Sequence, residues 1–179
     1  MDTSRSVGHE YLELQKKYIK DLTANWTIDE NNFQIAIVAF SSLAKIEYGF
    51  EINSNTSNLL DKLSALTNAD GISELHLGIN AGLKMLQNRS RRVHYVKVQK
   101  FMIVVSDGLL SSPKSLTMAT NDDIITKIVA LGEDVSHYFL SKITGKSSDV
   151  FPPNALRLWH HITSLLIHPV CKSKFQISS

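Results

Sequence analysis

The segment Phe33-Gln-Ile-Ala-Ile-Val-Ala-Phe40 is the strongest constraint on the fold. It is nearly all apolar and rich in β-formers. That is the pattern of a strand covered on both faces, as in sheets flanked by helices. A second apolar run, Phe101-Met-Ile-Val-Val105, stops at Ser106-Asp107-Gly108. Around these runs, apolar residues recur at helical spacing. Val7, Tyr11, Leu14, Tyr18 and Leu22 form one stripe, and Leu75, Ile79, Leu83 and Leu86 form another.

The remaining segments fit between them. Ala44 to Phe50 alternates and reads as a half-exposed strand after the turn Ser41-Ser42. Leu59 to Leu66 reads as a short helix. Ser73 is placed to cap a helix running to about Gln87. Asn121-Asp122-Asp123 is expected to open a helix through Leu131, with its acidic residues at the end the helix dipole prefers. Val135 to Leu140 is expected to be a strand, Pro152-Pro153 a loop, and Asn154 to Thr163 a helix. Leu165 to Pro169 reads as a short edge strand, where a proline is tolerated. Strands alternating with helices predict an α/β domain: a doubly wound, mainly parallel sheet flanked by helices. The domain is expected to span residues 1–171, with 172–179 a polar tail.

Composition narrows the function classes. The chain has 179 residues, enough for one domain with a sizeable core. Its 43% hydrophobic and 20% charged residues are ordinary for a globular protein. The net charge of +2 is too mild for the strongly basic face of a nucleic-acid binder. No stretch reaches the roughly 18 uninterrupted apolar residues of a membrane helix. Residues 1–30 are polar and mixed, without a signal-peptide pattern.

Three places carry candidate chemistry: Asp2-x-Ser4-x-Ser6 before the first helix, Ser73 at a loop-to-helix junction, and Asp107-Gly108 after a buried strand. In a doubly wound sheet these places lie at the carboxyl ends of strands, where such folds put their sites. All five side chains offer oxygen. Carboxylate and hydroxyl donors suit a hard cation such as Mg²⁺, Mn²⁺ or Ca²⁺ rather than zinc. The plainer readings are a helix cap for Asp2, Ser4 and Ser6, a turn for Asp107-Gly108, and a cap for Ser73. There is no G-x-S-x-G, phosphate loop, G-x-G-x-x-G or nucleophile–base pairing to suggest an enzyme.

The order D-x-S-x-S, then a Thr or Ser about seventy residues on, then an apolar strand ending in D-G, resembles von Willebrand factor A domains with a metal-ion-dependent adhesion site (MIDAS). The resemblance runs over nearly the whole chain. It implies that Asp2, Ser4, Ser6, Ser73 and Asp107 hold a divalent cation, and that an acidic residue of a partner protein completes the coordination. Integrin inserted domains, matrilins and collagen-associated A domains work in that way. The implied setting is extracellular, with a matrix protein as partner. The family's middle ligand is usually Thr, followed five residues later by Gly. Here Ser73 precedes Gly78 by that interval. Serine keeps the oxygen but loses the methyl group that stiffens the side chain, so a weaker hold is expected. The family's first strand lies just before D-x-S-x-S. With Met1 at that place, a domain lacking its first strand is expected, unless another segment fills the gap. Two alternatives are a structural or assembly role without metal, and an intracellular A domain in a chelatase-like or proteasome-like assembly.

Other features have plainer readings beside sharper ones. Cys171 is either a free thiol or, by the resemblance, half of a bridge to a cysteine before the first strand. Asp70 and Glu74 flank Ser73 and read as solvated carboxylates. The basic run Arg89, Arg91, Arg92, His94, Lys97 and Lys100 reads as a solvated loop and strand edge, or as a sulfated-glycan site. His160-His161 adjoin on a helix and make a poor metal pair, while Trp159 is expected in the core. Three N-x-S/T triplets begin at Asn25, Asn55 and Asn88 and matter only in a secreted chain.

Overall fold

The structure is a computed structural model that describes residues 1–29, 32–50, 55–88, 99–107, 123–131 and 137–152. Helix α1 spans Gly8–Thr23, on the face that the first apolar stripe marks. Strand β1, Ile37–Phe40, is followed by β2, Ala44–Tyr48, which pairs with it antiparallel. Helices α2, Thr56–Ser64, and α3, Leu75–Asn88, come next. Strands β3, Lys100–Ser106, and β4, Ile124–Ala130, pair in parallel. Helix α4, His137–Thr144, and the short strand β5, Val150–Phe151, complete the described elements, and β5 is parallel to β4.

The sheet joins through the start of the chain. Strands β1–β2 and β3–β4–β5 form two hydrogen-bonded groups. Residues Met1 to Thr3 lie between them. The Asp2 N–H donates to the Val105 carbonyl at 2.9 Å, Phe40 N–H to Met1 O at 3.0 Å, and Thr3 N–H to Phe40 O at 2.8 Å. The order across the sheet is therefore β2, β1, residues 1–3, β3, β4, β5.

Both faces are covered, as the apolar strands require. Phe40, Met102, Val104, Ile124 and Ile128 pack with Leu75 and Ile79 of α3 and Leu140 and Ile143 of α4. On the other face, Ile37 and Ala39 pack with Leu12 of α1 and with Leu59 and Leu63 of α2. Val105, Val129 and Phe151 cluster beside Tyr11, Leu14 and Leu22 of α1. The doubly wound architecture is as expected.

Local expectations differ in several places. The first apolar strand is shorter than its run: only Ile37–Phe40 pair in a ladder, and Phe33 instead bridges Ile28 in the preceding loop. Helix α2 begins three residues earlier than its apolar stripe, because Asn55 caps it, its Oδ1 accepting from Asn58 N–H at 2.9 Å. The expected helix into Leu131 is instead strand β4. Ile124, Ile125, Thr126, Ile128 and Val129 are β-branched, and the strand is buried on both faces, which favours extended backbone. The expected strand to Leu140 is instead helix α4, which turns Leu140 and Ile143 inward and leaves Tyr138 71% exposed. Residues 153–179 lie outside the described ones, and so do the expected helix 154–163, the edge strand 165–169, Trp159, His160, His161 and Cys171. Residues 89–98 of the basic run lie outside them too, while Lys100 opens β3.

Lys127 interrupts the apolar pattern of β4. Its ammonium is buried and pairs with the largely buried Asp149 at 2.5 Å. Removing one partner leaves an uncompensated buried charge, so Asp149→Leu should destabilise the domain by roughly 3–5 kcal/mol. The double variant Lys127→Met/Asp149→Leu should recover most of that loss in urea unfolding. Equal stability of the single variant and the wild type would contradict this account. The contact of α3 with β1 gives a second test. A Cβ on Gly78 would stand 2.3 Å from Cδ1 of Phe40, whose ring is itself buried. Gly78→Ala should therefore cost about 1–3 kcal/mol through overpacking, lowering the urea midpoint without changing its slope.

Candidate metal centre

The candidate site forms where the chain crosses the middle of the sheet. Asp2 lies between Phe40 of β1 and Val105 of β3, and it is fully buried. A buried carboxylate must find donors to replace the water it has lost. Asp2 finds three. Ser4 N–H donates to its Oδ1 at 3.0 Å. The hydroxyls of Ser73 and Ser106 both donate to its Oδ2, at 2.7 and 2.8 Å. Ser4 Oγ lies 3.1 Å from Ser6 Oγ. Ser4 is buried and Ser6 exposed, so the oxygen cluster runs from a buried carboxylate out to solvent.

Four of the residues picked from the sequence, Asp2, Ser4, Ser6 and Ser73, are thus linked by hydrogen bonds. Asp107 is buried and follows directly on Ser106 at the end of β3. Gly108 lies outside the described residues. Asp70 and Glu74 turn to other partners: Asp70 meets Arg5 at 3.3 Å on the exposed rim, and Glu74 meets Nδ1 of His76 at 3.1 Å. The exposed pair contributes little to stability.

Two supporting residues were not singled out in the sequence. Ser106 is fully buried and shares the Asp2 oxygen with Ser73. Its signal was a hydroxyl ending an otherwise apolar strand. Gln15 of α1 is also fully buried, and its Nε2 donates to the Asp2 carbonyl at 2.8 Å. Its signal was a polar residue on the inward face of a helix, between Leu12 and Leu14 on one side and Tyr18 on the other.

The loops that carry these side chains are tied together by backbone. Ala69 N–H donates to Thr3 O at 2.7 Å, Arg5 N–H to Gly71 O at 3.0 Å, and Glu74 N–H to Ser41 O at 3.1 Å. The amide of Asn68 reaches Gly8 O at 3.1 Å, joining the same loop to the start of α1. At Gly71 a Cβ would fall 2.6 Å from Ser42 Oγ, so a side chain there would displace the hydroxyl that accepts from Ile72 N–H at 3.1 Å.

The donor set is chemically uniform. It consists of carboxylate and hydroxyl oxygens, and the described residues hold no group of three or more His, Cys, Asp and Glu suited to a metal. Oxygen donors of this kind fit a hard divalent cation, while a soft or borderline site would draw on sulfur and imidazole.

Other proteins share the sequence pattern and the fold. Residues 1–158 match the von Willebrand factor type A domain. The chain is 25% identical to the mouse collagen alpha-6(VI) chain, over 97% of its own length and 8% of that chain's. Its fold is like that of proximal thread matrix protein 1 from the mussel byssus, with a TM-score of 0.73, 21% identity, and coverage of 92% of this chain and 44% of that one. The form of that mussel protein with a zinc-occupied MIDAS motif aligns with a TM-score of 0.67, 18% identity, and coverage of 92% and 43%. The chain thus spans less than half the length of each of these relatives, and under a tenth of the collagen chain. With the family matched over most of its length, the chain belongs to the von Willebrand factor type A domain family.

Proposed function

We propose that this domain is a divalent-cation-dependent protein-binding module of the extracellular-matrix type. Asp2, Ser4, Ser6, Ser73 and Asp107 would hold Mg²⁺, or Mn²⁺ or Ca²⁺ in its place. A bound cation supplies a Lewis-acidic point at which a partner's Asp or Glu carboxylate completes the coordination. The observation that carries this reading is the convergence on one buried carboxylate of two hydroxyls from distant parts of the chain, Ser73 and Ser106, beside the backbone N–H of the neighbouring Ser4. With their protons directed to Asp2, the Ser73 and Ser106 oxygens keep acceptor capacity for other contacts. The exposed Ser6 gives the cluster an outlet to solvent and hence to a partner. The matrix setting is supported by the collagen and mussel-thread relatives, and cation binding by the zinc in one of them.

A second reading has an observation of its own. The Asp2 carboxylate already receives three hydrogen bonds within the protein, which would let the cluster serve as a structural knot in a domain that binds partners without metal. One titration separates the two. On the first reading, Mg²⁺ or Mn²⁺ at a hundred times its dissociation constant stabilises the domain by about 2.7 kcal/mol, seen as a raised melting temperature. A chelator reverses the gain. Asp107→Ala should abolish it while folding normally in chelator. Ser73→Ala should weaken cation affinity by roughly 10–100-fold, the range for losing a group that orients a ligand, and Ser73→Thr should restore or improve it. Absence of heat and of any thermal shift in the wild type would favour the second reading.

A further inference from the structure

The three N-x-S/T triplets are scattered in sequence, but the topology brings their asparagines to one end of the domain. Helix α1 leaves the candidate metal centre at Gly8 and runs sixteen residues. At about 1.5 Å per residue it ends roughly 24 Å away, next to Asn25. Helix α3 starts two residues after Ser73 and finishes at Asn88, roughly 21 Å away by the same measure. Strand β2 runs antiparallel to β1, from Ala44 beside Phe40 to Tyr48 beside Ile37, and so descends from the site. Tyr48 Oη then donates to the carbonyl of Asn55 at 3.2 Å, which fixes Asn55 at that same end.

Each of the three asparagines is exposed. In Asn25-Trp26-Thr27, Asn25 lies in the turn just past α1, and the hydroxyl-bearing Thr27 is exposed as well. In Asn55-Thr56-Ser57, Asn55 caps α2 through its amide oxygen, which accepts from Asn58 N–H. Sugar attaches at the amide nitrogen, so the cap and the modification are compatible. Arg89 and Ser90 of the third triplet lie outside the described residues, and Asn88 carries no part of the inference.

We propose that the domain is N-glycosylated at Asn25 and Asn55, placing its carbohydrate on the end opposite the candidate metal centre. The assignment rests on the extracellular setting proposed above. The donor is a lipid-linked diphosphate oligosaccharide of the secretory pathway. The asparagine Nδ2–C1 bond forms as the C1–O bond to the diphosphate breaks. The lipid diphosphate leaves with that electron pair, and the amide gives up one of its two protons. A large hydrated chain at this end shields the base of the domain. The oxygen cluster around Ser4 and Ser6 stays clear for a partner.

The full chain, given a cleavable secretion leader and expressed in a eukaryotic cell, tests this. The secreted protein should lose mass on treatment with peptide N-glycosidase. Asn25→Gln and Asn55→Asp should each remove one step of that mass, and Asp keeps the oxygen that caps α2. Thr27→Val and Ser57→Ala destroy the triplets without touching either asparagine, and should give the same two losses if an asparagine variant folds poorly. A secreted chain without carbohydrate at both positions overturns the assignment, whatever its response to cations. Mg²⁺ affinity should be equal before and after deglycosylation, and a rise on removing the sugar would overturn the opposite-end placement. Native protein located in the cytosol would instead overturn the extracellular reading, a separate outcome from the acceptor result in secreting cells.

Discussion

The Asp2 carboxylate is fully buried in the middle of the sheet, and its charge must be met by donors from elsewhere in the chain. Ser4 comes from the same loop, Ser73 from the approach to α3, and Ser106 from the end of β3. Each bond fixes one segment relative to the strand segment that holds Asp2. The Asp2 backbone meanwhile bridges β1 and β3, while Gln15 holds its carbonyl from α1. One residue therefore sets the register of the sheet's centre, the docking of α1 and the convergence of the site loops. A polar network of this kind is valuable only when fully satisfied, because a half-satisfied one costs more than an apolar core.

The covered faces make that burial possible. A carboxylate at a sheet open to water on one side would need no such donors. Here α3 presses on Phe40 closely enough to require glycine at position 78, and α1 lies over the opposite face. The glycine that the family pattern places five residues after Ser73 thus has a packing reason. It lets α3, which begins two residues after Ser73, sit low over β1, and this brings the Ser73 hydroxyl within reach of Asp2.

Much of this was legible in the sequence where residue chemistry and position coincide. The apolar strands, the stripe of α1, and the D-x-S-x-S, Ser73 and Asp107-Gly108 pattern all point to the same fold and the same end of the sheet. The failures lie where local pattern and tertiary setting diverge. Ile124 to Ala130 has apolar residues at helical as well as strand spacing, and the acidic residues before it mimic a helix start. Its pairing along the whole length of β3 decides for strand. Val135 to Leu140 is a short segment ending in an aromatic and apolar run that can pass for a strand, and only the next turn, with Ile143, shows the helical face. Short apolar runs cannot be told apart by period alone. Ser106 and Gln15 escaped for a different reason. Their importance comes from what they touch, and no spacing in the chain announces that Asp2 lies against both.

Serine in place of threonine at position 73 shows how the network alters a reading made from residue type alone. Without the extra methyl, the side chain has more freedom in an open loop. In the folded domain it is buried, and its hydroxyl is held at 2.7 Å by a charged acceptor. Hydrogen bonds to charged groups are stronger than neutral ones, and this one selects a single rotamer. The stiffness that threonine would bring from its covalent structure is supplied here by the carboxylate. Ser106, bonded to the same oxygen, limits how far that carboxylate can turn. The orientation of Ser73 therefore depends on Asp2 and Ser106 together, and any ligand role for one of these oxygens is a property of all three.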